Sequence, residues 1–541
     1  MTDYEKEYAT FQWQVPDHFN FARDTFDRHA ADPTKLAMWW VDDDGNERKL
    51  TFADFRDRSR RLASALTTMG IRKGEGVIVV LPRVVAWWES LLATLRAGIV
   101  VSPGTVQLTP KDLAYRLQAS EAVGVITDQE NAPKVDEALK ETGIQLKAKL
   151  IVGGARDGWT DYEQALSSGD PSFTGADTLP GDPALLYFTS GTTGYPKMTL
   201  HSQASYGIGH LITGKYWLDL TPNDLHWNLS DTGWAKAAWS SFFGPWIVGA
   251  ALFVHYSPRF NPKKTLDLLA RYPVTTLCGA PTNYRMIIQE DLSGYRFPSL
   301  RHCVAAGEPL NPEVIDVWKK ATGITIRDGF GQTESVLVLG NFPPIPVKPG
   351  SMGKPSPGFY VSVIDENGRE LPPGQEGDVA IRVRPERPVG LFKEYWKDPE
   401  KTQASYRGDW YLTGDRAYKD EDGYFWFVGR ADDVIKSAGY RIGPFEVESV
   451  LLEHPAVAES AVVASPDPIR GEIVKAFVIL AKGYEPSDAL VTELQEFVKS
   501  KTAPYKYPRE IEFVPDLPKT ISGKIRRVEL RERELKKKLG A

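Results

Sequence analysis

From Gly76 onward the chain alternates short β-rich apolar runs with stretches whose apolar residues recur at helical spacing. GVIVVLP is followed by VVAWWESLLATLRAG, closed by Gly98, then by IVVSP, a helix around Lys111–Glu121 and the run AVGVITD. Such alternation predicts a parallel sheet covered by helices. It resumes with KLIVGG at 149–154, ALLYFTS at 184–190, a helix-plus-strand region reaching Tyr256, and TTLCGAP at 275–281. Two layered α/β units therefore fit into the first 330 residues. From about Phe342 the texture changes to Gly/Pro-rich segments carrying period-2 strands, YVSVID, GDVAIRVRP and DGYFWFVGR, with a turn at Glu366-Asn367-Gly368. This predicts a small antiparallel β unit. After Gly429-Arg430, helices (FEVESVLLEH, ALVTELQEFVKSK) and strands (ESAVVAS, VKAFVIL) suffice for a domain of about 100 residues. The boundary is set at Ala431-Asp432, dividing the chain into residues 1–431 and 432–541.

A length of 541 residues needs more than one hydrophobic core. With 42% hydrophobic and 25% charged residues, the chain is neither disordered nor collagen-like, and a net charge of −6 argues against nucleic acid as a partner. Its two cysteines, Cys278 and Cys303, lack spaced partners, which excludes a disulfide framework and a structural zinc site. The first residues, Met1-Thr-Asp-Tyr-Glu-Lys-Glu, have neither the apolar core of a signal peptide nor an Arg-rich, acid-poor pattern, so a cytoplasmic enzyme is expected. The uncharged run from Trp239 to Tyr256 approaches the ~20 residues of a spanning helix. Gly244-Pro245 and Gly249 interrupt it, and the expectation is a buried helix–strand pair with no membrane span.

Four segments carry chemistry. Thr189-Ser190-Gly191-Thr192-Thr193-Gly194-Tyr195-Pro196-Lys197 follows a buried strand and offers hydroxyls, backbone N–H groups and one cation to a polyphosphate. It is not a P-loop, because Tyr195-Pro196 separate the lysine from the second glycine. Asp328-Gly329-Phe330-Gly331-Gln332-Thr333-Glu334 presents a flat ring for a base, a hydroxyl for phosphate and a carboxylate for a hard cation such as Mg²⁺. Asp415, in Tyr411-Leu-Thr-Gly-Asp415, and Arg430 suit ribose hydroxyls and phosphate. Lys524 stands behind a Ser-Gly turn in a tail, Lys519 to Ala541, that carries nine Lys/Arg against three Glu. After Lys524 that tail is expected to be a solvated amphipathic helix.

In this order and spacing the segments resemble the adenylate-forming superfamily of acyl-CoA synthetases, luciferases and peptide-synthetase adenylation domains, over nearly the whole chain. Ala305-Ala306-Gly307-Glu308-Pro309 and GRADDVIKSAGYRIGPFEVE (429–448) add to the likeness. Within the superfamily the chain is most similar to medium-chain acyl-CoA synthetases, through SDTGW (230–234), the GAP at 279–281, SPDPIRGEIVKAFVIL and TAPYKYPREIEFVPDLPKT. The resemblance implies an α/β fold: a large N-terminal domain of two layered α/β subdomains plus a small β-barrel, then a small mobile C-terminal α/β domain pivoting at Asp432. It also implies an acid–thiol ligase that uses Mg²⁺, ATP and coenzyme A to turn a carboxylic acid into acyl-AMP and then acyl-CoA. The 189–197 loop would hold the triphosphate, Gly307, Glu308 and Pro309 would flank the adenine, and Asp328 to Thr333 would complete the nucleotide pocket with Phe330 on the base. Asp415 and Arg430 would bind ribose, Glu334 would hold Mg²⁺, and Lys524 would bridge the carboxylate and the α-phosphate. Many relatives have Tyr where this chain has Phe330. After rotation Ala438, Gly439, Tyr440 and Arg441 would line the CoA tunnel, with Arg470, Lys499, Lys501, Lys506 and Arg509 as a basic cluster for the nucleotide end of CoA.

Acetate-activating relatives carry Trp directly before Gln-Thr-Glu, where this chain has Gly331. An open wall there, with Trp234, Trp239 and Gly279-Ala280-Pro281 as apolar lining, points to an acid longer than acetate, medium-chain or short and branched. Benzoate-like acids stay open, as does an amino-acid-adenylating enzyme in which Asp231 would meet the substrate ammonium. A luciferase-like oxygenase would share the nucleotide motifs. A homo-oligomer is neither required nor excluded.

Overall fold

The computed structural model describes residues 1–189, 196–437, 440–520 and 524–539. A first sheet follows the predicted alternation. Strands Gly76–Val80, Val100–Gly104, Gly124–Asp128 and Ala148–Val152 pair in parallel, and Pro183–Thr189 joins them beside Val100–Gly104. Between the first two strands, helix Val85–Arg96 is buried along its whole length, its Glu89 and Arg96 compensated by Arg58 and Asp27.

The second sheet holds parallel strands Leu225–Asn228, Thr276–Gly279, His302–Ala306 and Ile326–Gly331 side by side. Their carboxyl ends, Asn228, Gly279, Ala306 and Gly331, therefore lie in a row, the edge at which ligands bind in sheets of this kind. The heptad Asp328–Glu334 opens inside a strand. The strand runs through to Gly331 and returns antiparallel as Leu337–Gly340. That return strand pairs with Ser351–Pro355, which pairs with Phe425–Arg430, so the antiparallel unit continues the second sheet edge to edge.

The Trp239–Tyr256 run forms two short helical segments, Trp239–Phe243 and Gly244–Val248, and then strand Ala251–Tyr256. Gly249 ends the second segment at φ +77°, where a side chain would also meet His29 and Lys35. Among the described residues no helix is long and apolar enough to cross a membrane. Both cysteines are buried and free.

A third sheet follows Asp432: Tyr440–Ile442, Ile435–Ser437, Gly471–Leu480 and Val457–Asp467, with Glu510–Phe513 parallel to Gly471–Leu480. The tail forms the expected amphipathic helix, Arg527–Leu539, with one face docked on the third sheet. Leu530 and Glu534 are buried, and Glu534 bonds Lys475 Nζ at 2.7 Å and Ser465 Oγ at 2.9 Å. Arg533 and Lys538 pair with Glu512 and Glu510 on the sheet. Carboxylates distant in sequence thus neutralise charge that looks unpaired along the tail.

Candidate active site

One cavity of about 730 Å³ runs between the second sheet's carboxyl edge and the third-sheet region, and segments from both line it. Thr189, Lys197, Gly307, Glu308, Pro309, Asp328 to Glu334, Asp415, Arg430, Asp432 and Lys524 all face it. Ser190 to Tyr195 lie outside the described residues. Thr189 and Lys197 are directly opposed across the hairpin of the strands on either side, with the Thr189 hydroxyl buried and unpartnered and Pro196 accepting from Tyr115 through its carbonyl. Lys197 stands 5.2 Å from the Tyr395 ring, and the Tyr395 hydroxyl donates to Glu334 at 2.8 Å. Burial lowers the Lys197 pKa, an effect the Glu334 carboxylate opposes.

The pairing of Asp415 with Arg430 explains a spacing that the chain alone leaves unexplained. Asp415 and Arg430, fifteen positions apart, are direct cross-strand partners on the hairpin Trp410–Lys419/Phe425–Arg430, with the guanidinium 3.4 Å from the carboxylate. Gln332 donates to Asp415 at 2.7 Å and to the Thr413 carbonyl at 2.6 Å. Burial pushes the Asp415 pKa up to about 6 against the pull of Arg430 and Lys524. Asp328, accepting from the Gly329 N–H at 2.9 Å, is pushed up to about 8 by burial. Glu308, half-buried, goes the other way against desolvation, because Arg285 (3.1 Å) and the Thr282 hydroxyl and N–H hold it ionised. Gly307 takes φ +111°, a conformation that favours glycine. Lys524 arrives from the small domain, its Cε 3.9 Å from where a Cβ on residue 307 would stand. Its turn is closed by Thr520 N–H to the Lys524 carbonyl (2.7 Å) and Lys524 N–H to the Thr520 hydroxyl (3.1 Å). Lys524 is exposed within the cavity, and desolvation by the surrounding protein lowers its pKa, with Glu308 the first of the charges opposing it.

Asp432 sits between strands Phe425–Arg430 and Ile435–Ser437, its carbonyl accepting from Arg531 at 2.9 Å while Asp433 pairs with the same guanidinium. Asn311 bonds Ser449 directly across the two parts, at 3.1 Å.

Three expectations need correction. Gly331 does not leave an open wall: a Cβ there would fall 2.4 Å from Trp239 Cη2 and 2.5 Å from the Val336 carbonyl oxygen. Trp239, from a separate segment, already fills that space. The basic residues do not form a free positive cluster, because Lys499, Lys501 and Lys506 are paired with Glu496, Glu453 and Glu446, and Arg509 bonds the Tyr507 hydroxyl. Arg470 sits at the turn between strands Val457–Asp467 and Gly471–Leu480, its N–H bonded to Asp467, and Tyr440 stacks on Tyr505 at 4.1 Å. Ala438 and Gly439 lie outside the described residues. Finally, Asp231 is already engaged, by the Thr105 hydroxyl (3.2 Å) and the N–H of its own neighbour Thr232 (2.8 Å), near the half-buried Arg83.

Some residues were not found by reading the chain. Arg285 lies one helical turn after Pro281, in GAPTNYR, a spacing that could have pointed it at Glu308. Tyr395 gave no signal. Lys236, two residues after the Trp234 that caps its helix, is half-buried and donates to the carbonyls of Gly279 (2.6 Å) and Ala306 (2.5 Å), tying two strand ends together beside Ala280. Desolvation lowers its pKa.

A family model described as AMP-binding enzyme matches residues 26–396, and one described as AMP-binding enzyme C-terminal domain matches residues 446–524. The chain belongs to the AMP-binding enzyme family. Among relatives of this AMP-binding enzyme, human acyl-coenzyme A synthetase ACSM3, mitochondrial, is 52% identical over 545 residues, 99% of this chain and 93% of that one. Mouse acyl-coenzyme A synthetase ACSM4, mitochondrial, is 52% identical over 530 residues, 96% of this chain and 91% of that one. The crystal structure of the anthranilate CoA ligase AuaEII in complex with anthranoyl-AMP superposes with TM-score 0.88 at 31% identity, over 96% of this chain and 98% of that one. The cytoplasmic expectation is overturned, since these relatives are named as mitochondrial proteins. The amino-terminal residues behind that expectation have a structural role: they open helix Tyr4–Thr10, and Tyr4 is buried with its hydroxyl on the Pro355 carbonyl (2.8 Å).

Proposed function

We propose that this AMP-binding enzyme is an acyl-CoA synthetase for medium-chain or short branched carboxylic acids. The observation that carries the reading is Lys524 standing over Gly307 in the cavity shared with Asp415, Arg430 and Glu334. In the first half-reaction a carboxylate oxygen bonds to the α-phosphorus of ATP as the bond to pyrophosphate breaks. Lys524 and Lys197 oppose the negative charge that builds up on the oxygens. Asp415 and Arg430 orient the ribose, and Gly307 to Pro309 and Phe330 enclose the base. The donor set fits Mg²⁺, because a single carboxylate, Glu334, beside the Thr333 hydroxyl is what an ion completing its shell with phosphate oxygens and water requires. When bound, the ion would neutralise charge on the triphosphate.

In the second half-reaction the CoA thiol sulfur bonds to the acyl carbon, its proton is lost, and AMP leaves. Lys524 and the thiol need the same face of the acyl group, so the small domain must turn between steps, and Asp432, between the two sheets, is the pivot. The division into 1–431 and 432–541 belongs to this reading, as do the CoA roles of Tyr440, Arg470 and the residues around Arg509. The acid starts at Gly331, which lines the cavity, and extends toward the apolar Trp239, Gly279 and Ala280 behind it, where each added methylene contributes about 0.8 kcal/mol.

The test is pyrophosphate release over acids from acetate to decanoate, with isobutyrate and benzoate, with and without CoA and Mg²⁺. Butyrate-to-octanoate-sized acids should exceed acetate in kcat/KM, and acetate as the best substrate would sink the chain-length assignment. Asp432→Pro, by restricting the backbone, should spare adenylation and slow thioester formation at least tenfold; equal loss of both half-reactions would remove the pivot.

A further inference from the structure

Thr333 and Glu334 occupy the phosphate side of the cavity, and the peptide between them is held from beneath by two buried donors. His201 Nε2 lies 2.6 Å and the Tyr206 hydroxyl 2.8 Å from the Thr333 carbonyl oxygen. Both side chains belong to fully buried residues. A carbonyl only accepts, so the phenol proton must point at Thr333. The phenol oxygen is in turn 3.0 Å from Trp239 Nε1, and an indole N–H only donates. The direction of the chain is therefore settled: indole to phenol to peptide.

The far end of this chain is the ring that closes on Gly331, where the acyl wall was located. Trp239 Cη2 stands 2.4 Å from the place of a Cβ on residue 331, so the indole lies directly against that backbone. The rings between are packed in sequence. His201 and Tyr206 centroids are 3.9 Å apart, Tyr206 and His210 4.5 Å, and His210 and Trp239 5.3 Å. His210 is itself tied to the Thr213 hydroxyl at 3.0 Å. Burial keeps His201 neutral down to about pH 3, with one ring proton. That proton sits on Nε2 toward the carbonyl, and Nδ1 receives the Ser205 hydroxyl at 2.9 Å.

Resting on the reading that acid and triphosphate occupy these two ends, we propose that Tyr206 is a positioning residue linking acyl occupancy at Trp239 to the placement of Thr333 and Glu334. An acyl chain long enough to press on the indole holds the Trp239–Tyr206–Thr333 line in register. An acid as short as acetate leaves the indole unloaded and gains nothing from the line. Close packing makes this transmission stiff, since a buried aromatic stack has few alternative arrangements. A misplacement of about 1 Å at the reacting groups is enough to cost on the order of 10²-fold in rate.

Tyr206→Phe removes one hydroxyl and keeps the ring between His201 and His210. Acyl-AMP formation is measured by pyrophosphate release for acetate, butyrate, hexanoate and octanoate, with kcat and KM separated. Thioester formation from supplied acyl-AMP and CoA and the melting transition are followed in parallel. The expected result is a fall of roughly 10- to 100-fold in kcat with the preferred acid, KM for ATP and acid within about twofold, acetate little changed, and the thioester step intact. The ratio of preferred acid to acetate should shrink by the same factor as kcat. An equal loss with every acid, or no loss, overturns the proposal. If Tyr206→Phe does not fold, Trp239→Phe removes the donor and keeps most of the ring; it should narrow the same ratio, and an unchanged ratio overturns the proposal equally. A parent enzyme inert with every acid would overturn the functional reading beneath it, whereas an active parent and an unaltered variant overturn this link alone.

Discussion

Asp415 and Arg430 face each other across one hairpin, and Gln332, just past the end of strand Ile326–Gly331, bonds both Asp415 and the Thr413 carbonyl. The surroundings of Gly331 are made differently. Gly331 contributes bare backbone, Trp239 from another helix fills the space above it, and Tyr206, 33 positions earlier, fixes the indole. Charged groups organise the first region through direct pairs set by strand register, and apolar contacts between distant segments organise the second. A polar corner of that kind is legible as a motif, because each residue type is dictated by what it must bond. An apolar wall is not, because any side chain of suitable volume arriving from anywhere can serve.

The largest expected effect tests how complete the polar corner is without the small domain. Lys524→Ala should lower acyl-AMP formation by roughly 10²–10³-fold, the loss typical of one preorganised donor, while AMP affinity changes little. Thioester formation from supplied acyl-AMP and CoA should proceed at near the parent rate. Loss of both half-reactions, with an unchanged melting transition, would remove the special role of Lys524.

Next comes the wall. Gly331→Trp should not narrow the pocket toward acetate, because the new side chain meets Trp239 and the Val336 carbonyl first. Overpacking should cost about 1–3 kcal/mol of stability and reduce activity on all acids. Pairing it with Trp239→Ala should restore much of the stability, and the absence of any recovery in thermal denaturation would show that the clash is with backbone alone. A clean shift to acetate in the single variant would contradict the contact.

The smallest effect concerns the buried carboxylate of Asp328. Asp328 has a pKa raised to about 8 by burial, so between the unfolded value near 4 and about 8 the folded protein holds a proton that the unfolded chain has released. Its contribution to stability is present at low pH and is lost as pH rises through that window. Asp328→Asn, which retains an acceptor for the Gly329 N–H, should therefore raise the melting temperature by a few degrees at pH 8.5 and hardly at all at pH 4. An equal gain at both values would mean that ionisation is not the cause.

Much of the architecture was legible because periodicity reports one residue's face at a time. The runs at 76–81, 100–104 and 124–128 became adjacent parallel strands, and the interrupted run from Trp239 to Tyr256 became two short helical segments and a strand. What period could not reveal was which edges meet, and the antiparallel unit after Phe342 proved to be bonded onto the second sheet through Ser351–Pro355. The same limit hid Tyr395 from Glu334 and Glu534 from Lys475, pairs whose members lie far apart along the chain.

By itself the sequence determined the order of the layered units, the polar segments that come to line one cavity, and the family to which they belong. Those follow from local rules: apolar spacing selects the element, and the chemistry of a ligand selects the side chain that meets it. Only the tertiary structure decided that Trp239 occupies the space beside Gly331, that Lys236 ties the ends of two strands, and that the basic tail is docked and neutralised. Each of these depends on close packing or charge pairing between segments far apart in the chain, and no local rule contains that distance.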